Sequence, residues 1–237
     1  MQRYFAKEMQ DDCLVLELSD MHHIKNVMRM NKGDKIECIY DKKLYICKIL
    51  DTNLNKFEIV QTIDEDNELE VEITIAIALV KEQKMDLILQ KLTELGVSRI
   101  IPLKMERSIV KLDDKRFQKK KERWISICKE ASEQSHRSMI PEITDIKTIK
   151  ELNSDNYDMK CVCSVSNKEN LVNKYLQTNN SCAKMIFVIG PEGGITPKEE
   201  ETLNRQGFIS ISLGNRVLRV ETAAIFVASI LNFSSMR

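Results

Sequence analysis

VIGPEGGITPKEE, residues 188–200, passes from an apolar run into a charged segment through a glycine-rich turn. Residues 183–190 (AKMIFVIG) have the near-continuous apolar character of a strand buried on both faces. Downstream, Thr196 can cap a helix that starts at Pro197 and carries Glu199 at its third position, a reciprocal capping box. The stretch is therefore a strand, loop and helix in succession, the building unit of a mostly parallel α/β sheet. Its loop is neither Gly-x-x-x-x-Gly-Lys-Ser/Thr nor Gly-x-Gly-x-x-Gly. Glu192 also opposes a phosphate, because two like charges about 4 Å apart repel by about 4 kcal/mol at an effective dielectric of about 20. Either the loop holds a ligand that is neutral or cationic at the contact, or its glycines only make a tight turn. Of the seven glycines, Gly33 suits a hairpin and Gly96 and Gly207 suit helix ends, which leaves Gly190, Gly193, Gly194 and Gly214 to explain.

The same alternation extends outward. Residues 71–80 are almost wholly apolar, and a helix from about Lys84 aligns Met85, Ile88, Leu89, Leu92 and Leu95 before Gly96. Then come a strand at 97–103, a helix from about 113 to 135, a strand at 160–166 and a helix at 168–178. Beyond 188–200, a strand at 208–214 leads into an apolar final helix. That connection, LGNRVLRVETAA at 213–224, sets Arg219 and Glu221 in apolar sequence, where charges must be paired or aimed at a ligand. Both glycine sites follow strands, at the carboxyl ends where open α/β sheets bind ligands.

Residues 13–63 read differently. Short alternating runs (CLVLEL, KIECIY, LYICKIL, FEIVQTI) separated by turn compositions predict a small β-rich module. One helical insert at 21–30, with Ser19 as candidate cap, places Met21, Ile24, Val27 and Met28 on one face. The acidic stretch 64–70 marks the boundary between domains at 1–68 and 71–237.

Charge narrows the partners. The chain has 36 basic and 36 acidic residues, so no global field draws it to nucleic acid or membrane. Residues 1–70 carry 10 basic and 15 acidic residues, whereas 99–137 carry 12 basic and 6 acidic, so a basic partner surface belongs there. Seven scattered cysteines without a Cys-x-x-Cys pair, and three histidines, offer no zinc spacing and suit a reducing cytoplasm. No signal core opens the chain, and no apolar run is long enough to span a bilayer.

GPEGG and LGNRVLRVETAA, preceded by KLTELGVSRIIPLKMERS and EASEQSHRSMIPEI, closely resemble the RsmE family of ribosomal RNA methyltransferases, in the SPOUT superfamily. Arg3-Tyr4-Phe5 and the stretch from His23 to Asp34 resemble the family's small PUA-like β-barrel. The resemblance implies an RNA-binding barrel at 1–68 and a SPOUT methyltransferase domain at 71–237 with a C-terminal trefoil knot. It further implies a homodimer, S-adenosylmethionine as cofactor, no metal, and methylation of N3 of a uridine in 16S ribosomal RNA. A sulfonium without phosphate fits the objection that Glu192 raised.

By position in the family motifs, Gly190, Glu192, Gly193, Gly194, Leu213, Gly214, Leu218 and Ala223 would line the cofactor pocket, with Ser164 and Val165 at its edge. Arg219 would stabilise the uridine anion or position the base, and Glu221 would orient Arg219 or assist proton removal. Candidates for RNA contact are Arg3, His23, Arg29, Lys81, Lys84, Arg107, Arg123, Gln134 and Arg137, with the Lys119–Arg123 cluster either among them or simply a solvated helix face. The chain departs from the family at Val220, where threonine is common, and at His136, where glycine is frequent. Two other readings stay open: a ribose 2′-O-methyltransferase of the same superfamily, and a non-catalytic RNA-binding or assembly factor.

Overall fold

A computed structural model describes residues 1–51, 55–65, 67–112, 114–152, 155–166, 170–172, 176 and 182–235 of the chain. Two units are distinguished, Met1–Glu68 with Lys129–Met139, and Leu69–Cys128 with Ile140–Arg237.

The first unit is built on a six-stranded sheet. Its strands are β1 (Arg3–Phe5), β2 (Glu8–Gln10), β3 (Cys13–Val15), β4 (Lys35–Tyr40), β5 (Lys43–Ile49) and β6 (Phe57–Ile63). The order is β1-β4-β5-β6-β3-β2, antiparallel except for the parallel β1–β4 pair. Period-two alternation puts Ile36, Cys38, Cys47, Ile49 and Phe57 inside with Tyr4, Leu14 and Ile24. The helical insert departs from expectation. It is α1 (Leu18–His22) followed by a π-helical turn at His23–Val27, with Glu17 rather than Ser19 at the cap. The wide turn breaks the 3.6-residue register on which a single apolar face depends, so Ile24 is buried while Val27 and Met28 are exposed.

Residues 129–139, which the boundary at 64–70 assigns to the second domain, belong to the first unit. Lys129 Nζ bonds Asp20 at 2.5 Å and Glu133 at 2.7 Å, and Arg137 Nη2 bonds Glu68 at 2.6 Å. Charged partners set this allegiance, and apolar patterning carries no trace of it.

The second unit holds a parallel sheet. Its main strands are β7 (Glu72–Ala78), β8 (Arg99–Lys104), β11 (Met159–Cys163), β12 (Lys184–Ile189) and β13 (Ile209–Ile211), with short β9 (Glu142–Ile143) and β10 (Lys147–Thr148) beside β8. The order β8-β7-β12-β11-β13 is parallel throughout. The helices are α2 (Glu82–Glu94), α3 (Asp114–Gln134), whose residues from Lys129 onward belong to the first unit, α4 (Pro197–Arg205) and α5 (Val220–Ser235). Alternate residues of β7 serve opposite faces, with Ile73, Ile75 and Ile77 in one cluster and Ala76 and Ala78 in the other, which explains the unbroken apolar run. The helix expected at 168–178 lies largely outside the described residues; within that span Leu171 bridges Ser212. No described helix is long and apolar enough to cross a membrane.

Candidate active site

Because the sheet is parallel, the loops after β7, β8, β11, β12 and β13 all leave from one edge. From β7 the chain steps outward to β8, whereas β12, β11 and β13 lie on β7's other side. The carboxyl edge at β7 and β12 is therefore the switch point.

Residues 190–196 form the loop after β12. The Gly194 amide donates to Pro191 O at 2.8 Å, and Gly194 has φ +75°, a left-handed conformation that favours glycine. A Cβ on Gly190 would lie 2.5 Å from Ile195 Cγ1, and one on Gly193 would lie 3.0 Å from Arg107 Cβ. The expected capping box is present, with Thr196 Oγ1 accepting from the Glu199 amide and the Glu199 carboxylate accepting from the Thr196 amide. Glu199 also accepts from the Glu106 amide at 2.8 Å, which ties the loop after β8 to this helix start. From that β8 loop, Arg107 Nη1 donates to Gly193 O at 3.0 Å.

The second loop, 212–219, is held by Ser212. Its amide donates to Asn170 O at 2.7 Å, its carbonyl accepts from Val172, and its Oγ accepts from the Gly214 amide at 3.3 Å. Gly214 has φ +109° with open space where a Cβ would point. Leu213 and Leu218 pack against the larger core, and Ala223 is buried in it. Ser164 is buried, its amide donating to Ile211 O, while Val165 is exposed.

The charges meet differently from the sequence expectation. Among the described residues no hydrogen bond or ion pair joins Glu221 to Arg219. Glu221 Oε2 stands 3.5 Å from Lys84 Nζ in α2, and the same ammonium bonds Glu192 Oε1 at 2.9 Å. At 3.5 Å the Lys84 contact lacks hydrogen-bond geometry, so the buried Glu221 Oε2 has no hydrogen bond among the described residues. Arg219 is exposed, and no hydrogen bond or ion pair of its guanidinium occurs among the described residues. The hydrogen bond to Glu192 raises the Lys84 ammonium above its ordinary value. Burial pushes Glu192 up, but Lys84, the residue's own amide and the charge of Lys81 outweigh it and hold the carboxyl below its ordinary value.

Lys84 and Arg107, expected at RNA, are thus engaged with the glycine loop. Two further RNA candidates are buried and spent within the first unit. Arg3 bonds Glu37 at 2.8 Å, Glu65 at 3.3 Å and the His136 carbonyl at 2.6 Å, and Arg137 bonds Glu68. His23 is partly buried against the Tyr4 hydroxyl at 3.0 Å. Arg29, Lys81 and Gln134 are exposed. Arg123 pairs with Glu82 and Asp86, Lys120 with Glu82 and Lys121 with Asp145, so much of the Lys119–Arg123 charge is neutralised locally. His136 has φ +57°, the physical reason glycine suits that position. Val220 opens α5 and is buried.

The donor set suits S-adenosylmethionine. Glycine backbone, aliphatic Leu213 and Leu218 and nearby carboxylates match a neutral adenosine and a cationic sulfonium better than a phosphate. Residues 67–232 match the RNA methyltransferase domain, and residues 19–61 match the RNA methyltransferase PUA domain. Ribosomal RNA small subunit methyltransferase E of Bacillus subtilis is 36% identical, over 99% of this chain and 97% of that protein. The chain belongs to the RsmE family. Solved relatives support the cofactor assignment. The methyltransferase E of Neisseria gonorrhoeae bound to S-adenosyl methionine has a TM-score of 0.81 and 28% identity, covering 98% of this chain and 97% of that one. A putative methyltransferase from Legionella pneumophila with bound cofactor SAM has a TM-score of 0.89, 28% identity and the same coverage. The α/β domain with a PUA-like β module and a SPOUT-type parallel sheet is accordingly the RsmE arrangement.

Proposed function

We propose that this RsmE-family protein transfers a methyl group from S-adenosylmethionine to N3 of a uridine in 16S ribosomal RNA. The observation that carries the reading is Glu221 at the start of α5, whose buried Oε2 takes no hydrogen bond among the described residues and shares the Lys84 ammonium with Glu192 of the glycine loop. Bound S-adenosylmethionine supplies an electrophilic methyl group on a sulfonium. The glycine loop, anchored by Arg107 and the Thr196–Glu199 box, and the loop at Gly214 would hold the cofactor through backbone groups and aliphatic contacts. Uridine N3 becomes a nucleophile when its N–H bond breaks, the proton passing to Glu221 Oε2 and the electron pair staying on N3. The exposed guanidinium of Arg219, two residues earlier, stabilises the resulting anion.

Methylation of small-subunit particles with labelled cofactor, followed by nucleoside mapping, tests the reading. N3-methyluridine is the expected product; a 2′-O-methylated nucleoside, or no incorporation, refutes it. Arg219→Ala and Glu221→Gln should each lower kcat at least about tenfold, the lower range for removing a proton acceptor or an oxyanion partner. S-adenosylhomocysteine should bind both variants within about threefold of wild type. Near-normal turnover in both removes them from the chemistry.

The barrel unit, with exposed Arg29 and Gln134, is proposed as an RNA-binding surface, and binding should weaken as salt rises. The knot of the family is proposed for the segment from β12 to α5. A homodimer is proposed through α5, where Phe226, Ile230 and Phe233 recur at helical spacing and Phe226 and Phe233 are 38% and 76% exposed. Sedimentation of Phe226→Glu/Phe233→Glu as a species of unchanged mass refutes that interface. The reaction takes place in the cytoplasm, with the small subunit as partner.

A further inference from the structure

Lys84 connects three elements of the second unit. It lies in the first turns of α2, yet its ammonium bonds Glu192 in the glycine loop at 2.9 Å and stands 3.5 Å from Glu221 at the start of α5. The two contacts differ in kind. Glu192 accepts a hydrogen bond, whereas Glu221 Oε2 meets the ammonium at ion-pair distance and has no hydrogen bond among the described residues. A buried carboxylate oxygen ordinarily takes a hydrogen bond, so one that meets a cation only at ion-pair distance keeps capacity to accept a further donor. The other charges around the group are Lys81, whose charge acts on Glu192, and Arg219, exposed beside Glu221. The remaining acidic residues near the start of α2, Glu82 and Asp86, are taken up by Lys120 and Arg123.

We infer that Lys84 is a positioning residue for methyl transfer: it ties the glycine loop to the last helix and holds Glu221 with Oε2 vacant for the imide proton. The inference rests on the uridine-N3 reading above. It moves Lys84 from the RNA phosphates, where its charge alone would place it, to the reacting centre, where it acts through Glu221.

Steady-state methylation of small-subunit particles and calorimetric binding of S-adenosylhomocysteine to the full chain test it together. Lys84→Met should lower kcat about tenfold or more while KM for RNA stays within about threefold, and Lys84→Arg should restore most of the loss. Lys84→Met/Glu221→Gln should turn over no more slowly than Glu221→Gln alone, because a residue acting through another adds nothing once the other is gone. A raised KM with kcat retained, or a multiplicative loss in the double variant, overturns the inference. Lys84→Met should also weaken S-adenosylhomocysteine about threefold or more by releasing the glycine loop, and unchanged affinity overturns the tie. Wild-type protein that binds S-adenosylhomocysteine but forms no N3-methyluridine overturns the uridine-N3 reading, while the calorimetric comparison still decides the tie.

Discussion

Gly190→Ala isolates packing from backbone strain at the mouth of the site. Among the loop glycines Gly194 and Gly214 have positive φ, but Gly190 does not, so alanine can adopt its backbone. The added methyl, however, would sit 2.5 Å from Ile195 Cγ1 and 3.3 Å from Cδ1, against an ordinary carbon contact of about 3.5–4.0 Å. Relief therefore needs a movement of about an ångström. Ile195 is half-buried against the cluster of Ile101, Leu103, Ile186 and Val188, and it leads directly into the Thr196 cap, so neither neighbour yields freely. Overpacking of this kind costs about 1–3 kcal/mol, and about 2 kcal/mol in a chain of 237 residues lowers the thermal midpoint by about 4–8 °C. The same shift displaces the Gly193 and Gly194 backbone, so S-adenosylhomocysteine should bind at least about tenfold more weakly, a loss of about 1.4 kcal/mol. Calorimetry and thermal denaturation measure both. Ile195→Ala removes the atom that is struck, so Gly190→Ala/Ile195→Ala should recover affinity although the lone Ile195→Ala gains none. Wild-type affinity and midpoint in Gly190→Ala, or no recovery in the double variant, would refute the steric argument.

Arg137→Met takes the guanidinium from the partly buried Glu68, which keeps the Ser138 and Met139 amides as donors, so the cost should fall at the low end of the range for breaking a buried pair, about 3 kcal/mol. The midpoint of the first unit should fall accordingly, and a fall of under about 2 °C in denaturation would contradict the account. The Lys84–Glu192 pair predicts a pH window. Glu192, held below its ordinary value, contributes stability that is present above the usual carboxylate range near pH 4.3 and lost as pH falls through its lowered value. Lys84, raised, contributes stability that is present below about pH 10.4 and lost as pH rises through its higher value. The midpoint difference between wild type and Glu192→Gln should be flat from about pH 5 to 10 and shrink outside it; a monotonic slope across that window speaks against the pair.

Local pattern carried most of the fold. The runs at 35–40 and 57–63 are strands β4 and β6 at those residues, and the Thr196–Glu199 box starts α4, because such signals lie within a few neighbouring side chains. The short strands β1 and β2 escaped, since three residues show no period. The insert after Glu17 misled for a subtler reason: a π turn is set by tertiary fit, and of Met21, Ile24, Val27 and Met28, which supply helical spacing, only Ile24 is fully buried.

The site was legible in its glycines and illegible in its charges, and the difference is physical. A glycine's requirement is local: Gly194 and Gly214 answer to their own φ, and His136 stands in a left-handed region that favours glycine. A charge's requirement is a partner at any distance along the chain. Lys84 meets Glu192 across 108 positions, and Arg3 meets His136 across 133. Composition therefore assigns both cations to solvent and RNA, although burial turns Arg3 into a structural tie. Lys84 remains partly exposed, yet its 2.9 Å bond to Glu192 removes it from the freely available positive surface. What composition treats as one basic population includes at least four kinds: cations that hold the first unit together, cations that hold the glycine loop, cations neutralised on the helix surface such as Lys120, Lys121 and Arg123, and exposed ones such as Arg29, Lys81 and Arg219. Charge-removing substitutions at Arg3 and Arg137 should thus destabilise the protein without flattening the salt dependence of RNA binding, whereas those at Arg29 and Lys81 should flatten that dependence at unchanged stability. A flattened slope at Arg137 with a normal midpoint would return it to the RNA surface.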